Sequence, residues 1–287
     1  MSSTVELDHI VYSLVPYKGY AVRAWSRKEA VYNAERAFKG WFSPYEQFIV
    51  RPGAELRAVV KGFGDYIYVA RVFVGEGLDE LKRSGVVSHI ALVPLDIAVE
   101  KRLSLEEVDK AMANYTSLKG IELNEIEPLR IGFGEKDRDE DIEYLKTVVD
   151  VENARKLLTA ISQPESKTIV IFKRDPWSRA RLAYGLAKML AIHKVAEYIV
   201  TVEKPIDNIL IEFTKVVIVL DKMLPLRRTE NWTVVKITDE GGKIETEADI
   251  EETLRRLGYK TGSQPQLNRW CYAIYRIYDA LETQCSL

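Results

Sequence analysis

The densest cluster of chemistry-bearing residue types in this chain is Arg71, Asp79, Arg83, Ser88 and His89, spread over a short glycine-containing loop and the stretch that follows it. A carboxylate can orient a histidine as a general base while arginines hold an anion, so the cluster has parts for acid–base chemistry on a charged substrate. The plainer reading, an ion-paired loop over a core histidine, is the favoured one, because polar clusters of this kind are often structural. Ser88 and His89 do not make a nucleophile–base pair in any case, since neighbouring residues of a strand point to opposite faces.

A second concentration, Lys173, Arg174, Trp177, Arg179 and Arg181, surrounds an expected helix start at Asp175-Pro176. A helix N-terminus presents free N–H groups to anions, and an aromatic ring among cations suits a phosphate or a nucleic acid. The plainer reading makes Trp177 a core cap and the cations a solvated face. It is favoured because 41 Lys+Arg against 43 Asp+Glu leave a net charge of −2 and no global field to recruit polyanions. Leu226-Arg227-Arg228 adds little to the patch.

Other recognisable chemistry is missing from the sequence. Gly62-Phe63-Gly64, Gly75-Glu76-Gly77 and Gly132-Phe133-Gly134 stop short of a nucleotide-binding loop and read as turns. His9, His89 and His193 lie far apart in the chain and outside any metal-binding helix motif, so neither a metal nor a cofactor is expected. The 2 cysteines, Cys271 and Cys285, cannot build a disulfide framework. The longest apolar runs, Val86–Val93 and Val216–Leu220, are too short for a bilayer, and Met1–His9 has no signal-peptide character, so a cytoplasmic protein is expected. Abundant Glu, Lys, Arg, Val, Ile and Tyr with few Gln is the composition of a hot-adapted, archaeal-type protein.

The elements that must position these residues follow from periodicity. Val5–Leu14 and Tyr17–Trp25 read as strands, followed by a helix capped by a Ser26-x-x-Glu29 box and ended near Gly40. Glu55–Lys61, Asp65–Val74 and Val86–Ala98 read as further strands. Alternation along Tyr66–Val72 predicts one buried face, and the apolar run His89–Val93 predicts two. Ser104-x-x-Glu107 opens another boxed helix; Glu135–Glu143 reads as a solvated helix start or connector, and Asn153–Ile161 as a helix.

From Lys167 the rhythm becomes α/β: strand Lys167–Lys173, helix Pro176 to His193, strands at Glu197–Val202, Asn208–Leu220 and Thr233–Thr238, and helix Ala248–Leu257. An amphipathic helix carrying Leu267, Trp270, Cys271, Ile274, Tyr275, Tyr278 and Leu281 comes last. The fold class is therefore mixed α+β and α/β: a β-rich N-terminal half with two or three helices, residues 1–162, then an α/β half, residues 163–287, joined at the polar stretch Ser162–Ser166.

Three segments carry a family resemblance. Asp8-His9-Ile10-Val11-Tyr12-Ser13 resembles the opening strand of the N-terminal region of the prokaryotic GTPase-associated protein family. Arg71 through Asp79, Arg83 and Gly85 to Ser88-His89-Ile90-Ala91-Leu92-Val93-Pro94 is similar to that family's Asp…Gly-Arg-x-Gly…His-x-Leu pattern, with Lys82 where the family has glycine. The strand–helix–strand Thr168–Leu220 is similar to its later segment. The resemblance implies a partner class, a small Ras-like GTPase, and no reaction. With no catalytic motif in view, the chain reads as a non-enzymatic regulatory or scaffold protein; its 15 tyrosines supply interface anchors, and a second copy of the chain is a further candidate partner. The alternative is a nucleotide- or nucleic-acid-binding protein or enzyme that uses the local basic patch and His89, and no membrane partner is expected.

Overall fold

A computed structural model describes residues 3–15, 19–38, 55–61, 66–78, 84–113, 124–149, 157, 167–191, 198–201, 216–220, 232–237 and 244–245. The chain divides into two compact units, Met1–Asp139 and Glu140–Leu287. Each mixes helices and strands, as the sequence predicts. The expected junction at Ser162–Ser166, the segment around Asp79 and Arg83, and the expected helices at 248–257 and 263–281 with both cysteines lie outside the described residues.

Unit 1 is built on a sheet of β1 (Ser3–Val15), β2 (Gly19–Trp25), β3 (Glu55–Lys61), β4 (Tyr66–Leu78), β5 (Ser84–Pro94) and β6 (Asn124–Glu125), in the order β3-β4-β5-β1-β2-β6. A further strand, β7 (Leu129–Phe133), pairs antiparallel with the first residues of β1, Ser3–Leu7. Every other pairing in this sheet is antiparallel too, apart from the short β2–β6 contact. Helix α1 (Lys28–Phe38) lies over one face, where the Tyr68 hydroxyl donates to the Asn33 carbonyl at 3.3 Å. Pairing places Asp8, Leu92 and Tyr68 side by side, so that face also carries Ile10, Ile90, Ala70 and Ser88. The opposite face carries His9, Val11, Val69, Arg71 and His89, and there Arg71 meets Asp109 of a second helix.

Helices on both faces explain why Ile67, Tyr68, Val69, Ala70 and Val72 are all buried, correcting the expectation of one exposed face for β4. Alternation in Tyr66–Val72 is weak because only Arg71 is polar, and a covered strand has no need of a polar face. His89–Val93 is buried on both sides, as expected. Strand β5 ends at Pro94 and not at Ala98. Proline has no N–H to give the ladder, and α2 (Leu95–Glu100) starts directly after it. Two of the expected glycine turns are strand instead. Gly75-Glu76-Gly77 lies in β4 where pairing with β5 changes register between Val74 and Leu78, and Gly132 pairs with Thr4.

Helix α3 (Leu105–Ala113) starts with the predicted reciprocal cap. The Ser104 amide and hydroxyl donate to Glu107 Oε2 at 2.8 and 3.0 Å, and the Glu107 amide returns to Ser104 Oγ at 3.3 Å. Burial pushes the Glu107 carboxyl up, but the hydrogen bonds from Lys136, 2.6 Å away, and Ser104 outweigh it and hold the group below its usual value. The box expected at Ser26 does not form. The Ser26 amide donates to the His9 carbonyl at 3.0 Å and its hydroxyl to Asp8 Oδ1 at 2.9 Å while accepting from the His9 amide, so the residue extends the β1–β2 ladder.

Unit 2 places β8 (Lys167–Phe172) between β10 (Val216–Leu220) and β11 (Trp232–Ile237). β9 (Tyr198–Thr201) lies beyond β10, and β12 (Ile244–Glu245) beyond β11. β8, β9, β10 and β11 are parallel; between β8 and β9 the chain passes through the helix Pro176–Ala191, as a crossover between parallel strands requires. Helix α4 (Glu140–Val148) packs on α5 (Pro176–Ala191), whose Ala180, Leu182, Ala183, Tyr184, Leu186 and Ala187 are all buried. Their approach is close at Gly185. A Cβ there would stand 3.0 Å from Leu145 Cδ1 and 3.2 Å from the Asp141 carbonyl oxygen.

Candidate functional site

Of the first polar cluster the structure brings together Arg71 and His89, which are cross-strand partners on β4 and β5. Ser88 is buried on the opposite face, as strand alternation requires, and Asp79 and Arg83 lie outside the described residues. A residue that sequence reasoning left apart replaces them. His9 Nδ1 lies 2.8 Å from His89 Nε2, and His9 Nε2 lies 2.7 Å from the carbonyl oxygen of Glu127, in the connection between β6 and β7. Both rings are buried, tilted by 52° with centroids 5.1 Å apart.

Because a carbonyl oxygen only accepts, His9 Nε2 must carry a hydrogen. In the neutral pair His9 Nδ1 then offers a lone pair, and His89 Nε2 donates to it. Desolvation lowers the His9 pKa below 6.5, opposed by the Glu127 hydrogen bond and by Asp8. Desolvation likewise holds His89 well below 6.5, with His9 and Arg71 adding to the effect. Burial thus favours the neutral form of both imidazoles. Arg71 itself is held by Asp109 at 3.7 Å, and Asp8 by Ser26 and by Arg27 at 3.3 Å.

The second cluster divides in the same way. Asp175 caps α5: the Ser178 amide donates to Oδ1 at 3.0 Å and the Ser178 hydroxyl to Oδ2 at 2.6 Å. The bond from the Ser178 hydroxyl is the main reason the Asp175 carboxyl sits below its usual value. Lys173 and Arg174 are exposed and Trp177 half-buried beside that cap. Arg179 is buried, and its guanidinium donates to the Arg174 carbonyl. Arg181 turns to α4, where it donates to the Glu140 carbonyl at 2.9 Å, approaches Asp141 Oδ1 at 3.4 Å and lies 4.7 Å above the Tyr144 ring.

Sequence reading missed the centre of that last arrangement. Asp141 and Lys188 are 1% and 2% exposed and bonded at 3.1 Å, with the Lys188 ammonium 5.0 Å from the Tyr184 ring centroid. Within Glu135–Glu143, read as solvated, Asp141 is therefore core. The available signal was Lys188 within the otherwise apolar run Leu182–Leu190, since a lysine there needs a carboxylate partner.

Among the described residues no group of three or more His, Cys, Asp or Glu is placed to hold a metal ion, and no helix is long and apolar enough to cross a membrane. A scan against protein-family models and a search of curated proteins give no match for this chain.

Proposed function

We propose that this is a cytoplasmic, non-enzymatic regulatory or scaffold protein that engages a small Ras-like GTPase. The observation that carries the reading is the pairing of two segments of the family resemblance. Asp8–Ser13 and Val87–Leu92, far apart in the chain, are antiparallel neighbours in residue-for-residue register, joined by the His9–His89 contact. Residues that resemble one family in two places thus belong to a single structural element. The polar side chains that suggested chemistry are also engaged inside the fold: His89 with His9, Arg71 with Asp109, Arg179 with a backbone carbonyl and Arg181 with Asp141. For the alternative, in which His89 acts as a base, a substrate must reach a ring that is 1% exposed.

A binding protein of this kind concentrates its energy in a few aromatic and arginine anchors. Tyr32, on the outer side of α1, is 66% exposed and is the candidate anchor. Titration of the full chain against GDP-loaded, GTP-loaded and nucleotide-free small GTPases from the same genome is the test. The expected result is binding that depends on nucleotide state, changes little between low and moderate salt, and weakens about fivefold or more in Tyr32→Ala, as loss of an anchor worth over about 1 kcal/mol requires. Absence of GTPase binding, together with single-stranded nucleic acid binding that falls steeply with salt, would replace this reading with one centred on Lys173, Arg174 and Trp177.

A further inference from the structure

The contact between His9 and His89 has room for one hydrogen between its facing nitrogens, 2.8 Å apart. The far side of His9 is fixed by the Glu127 carbonyl, which requires the Nε2 hydrogen. Two proton states keep both contacts. In one the shared hydrogen belongs to His89 and His9 is neutral; in the other it belongs to His9, which is then an imidazolium. A pair in which His9 is an imidazolium and His89 also carries a hydrogen on Nε2 sets two N–H groups head to head, and the contact is lost.

We propose that the His9–His89 pair is an acid-operated latch. It holds the His9 ring, and through it the β6–β7 connection at Glu127, against His89 of β5 while one hydrogen occupies the shared site. When both rings are protonated His9 parts from His89 and, still bonded to the Glu127 carbonyl, moves away from β5 together with that connection. The inference is independent of the identity of any partner. It stands on geometry from three chain segments: two strands supply the rings, and one backbone carbonyl of the third segment sets the tautomer.

Surrounding charges bear on the latch from each packed element. On β1, Asp8 favours charge on His9, but Ser26 and Arg27 draw on the same carboxylate. From β4, Arg71 opposes charge on His89, and Asp109 of α3 partly offsets Arg71. The Glu127 side chain is exposed and lies 4.0 Å from Arg130. Burial dominates at both rings, and their folded pKa values lie below 6.5. The folded chain therefore binds fewer protons than the unfolded one. The stabilising effect is complete above pH 6.5 and is lost as pH falls through 6.5 towards the folded values.

The test follows hydrogen-exchange protection of the Ile126 amide, which donates to the Trp25 carbonyl at 2.9 Å, in the full chain between pH 7.5 and 5.5. After correction for intrinsic exchange, protection should fall about tenfold at pH 5.5 for each histidine that stays neutral in the fold. His89→Gln keeps an amide N–H where Nε2–H stood and removes one titrating ring, so its fall should be about tenfold smaller than in the parent. No fall in the parent, or an equal fall in the variant, overturns the proposal. Should His89→Gln not fold, the 15N imidazole spectrum of the parent decides. Protonated Nε2 on both rings with bare Nδ1 on His9 at pH 8, and midpoints below 6.5, support the latch; a hydrogen on His9 Nδ1 at pH 8, or midpoints near 6.5, overturn it.

Discussion

The two units bury polar groups by opposite means. Unit 1 buries two imidazoles that stay neutral, share a hydrogen and rely on a backbone carbonyl to fix which nitrogen carries it. Unit 2 buries an ionic group, the Asp141 carboxylate between the Lys188 ammonium and the Arg181 guanidinium, with aromatic rings beside both cations. A neutral pair costs little to desolvate and becomes sensitive to pH in the imidazole range. An ionic cluster costs much more to desolvate and holds only while its partners are complete. One region is therefore built to respond to protons, the other to fix how α4 and α5 meet.

The sharpest way to break this comparison is Asp141→Ala. Leaving the Lys188 ammonium buried without its carboxylate should lower the free energy of unfolding by roughly 3–5 kcal/mol, measured by chemical denaturation. The double variant Asp141→Leu/Lys188→Met should recover most of that loss, because apolar residues of similar volume need no partner. A single-variant loss within about 0.5 kcal/mol would mean that the cluster behaves like a surface pair.

A smaller effect is expected of His89→Ala, about 1–3 kcal/mol at pH 7.5, since His9 Nδ1 is left buried without its donor. This deficit should shrink as pH falls to 5.5, because the parent loses stability there through the histidine that the variant lacks. The Asp141→Ala deficit involves no histidine and should not shrink over the same range, because a buried ammonium without its carboxylate is hardest to accommodate at the lower pH, where it stays charged. If both deficits follow pH alike, the distinction between the units fails.

Smallest is Ser104→Ala, which removes half of the reciprocal cap of α3 and should cost about 1 kcal/mol. It gives the reference for a polar residue whose partners lie one helical turn away. A loss as large as that of His89→Ala would show that the histidine contact adds nothing beyond an ordinary cap.

What the sequence determined by itself is local. The capping box at Ser104 and Glu107, the Asp175-Pro176 helix start, the alternation that separates Ser88 from His89, and the passage from a β-rich half to an α/β half all rest on neighbours within a few residues. Such signals survive in a one-dimensional string because propensity and capping act over a single turn or pleat. Even there tertiary pairing prevailed at Ser26, whose amide went to the His9 carbonyl, and at Gly75–Gly77, which became part of β4.

The tertiary structure alone decided which distant residues meet. His9 and His89 are 80 positions apart, and Asp141 and Lys188 are 47 apart; nothing in either local pattern names its partner. Sheet order put β1 beside β5, and the close helix approach at Gly185 brought Asp141 to Lys188. Because the free energy of a buried polar group depends on the partner that burial supplies, the chemistry of both sites was set by packing and not by composition.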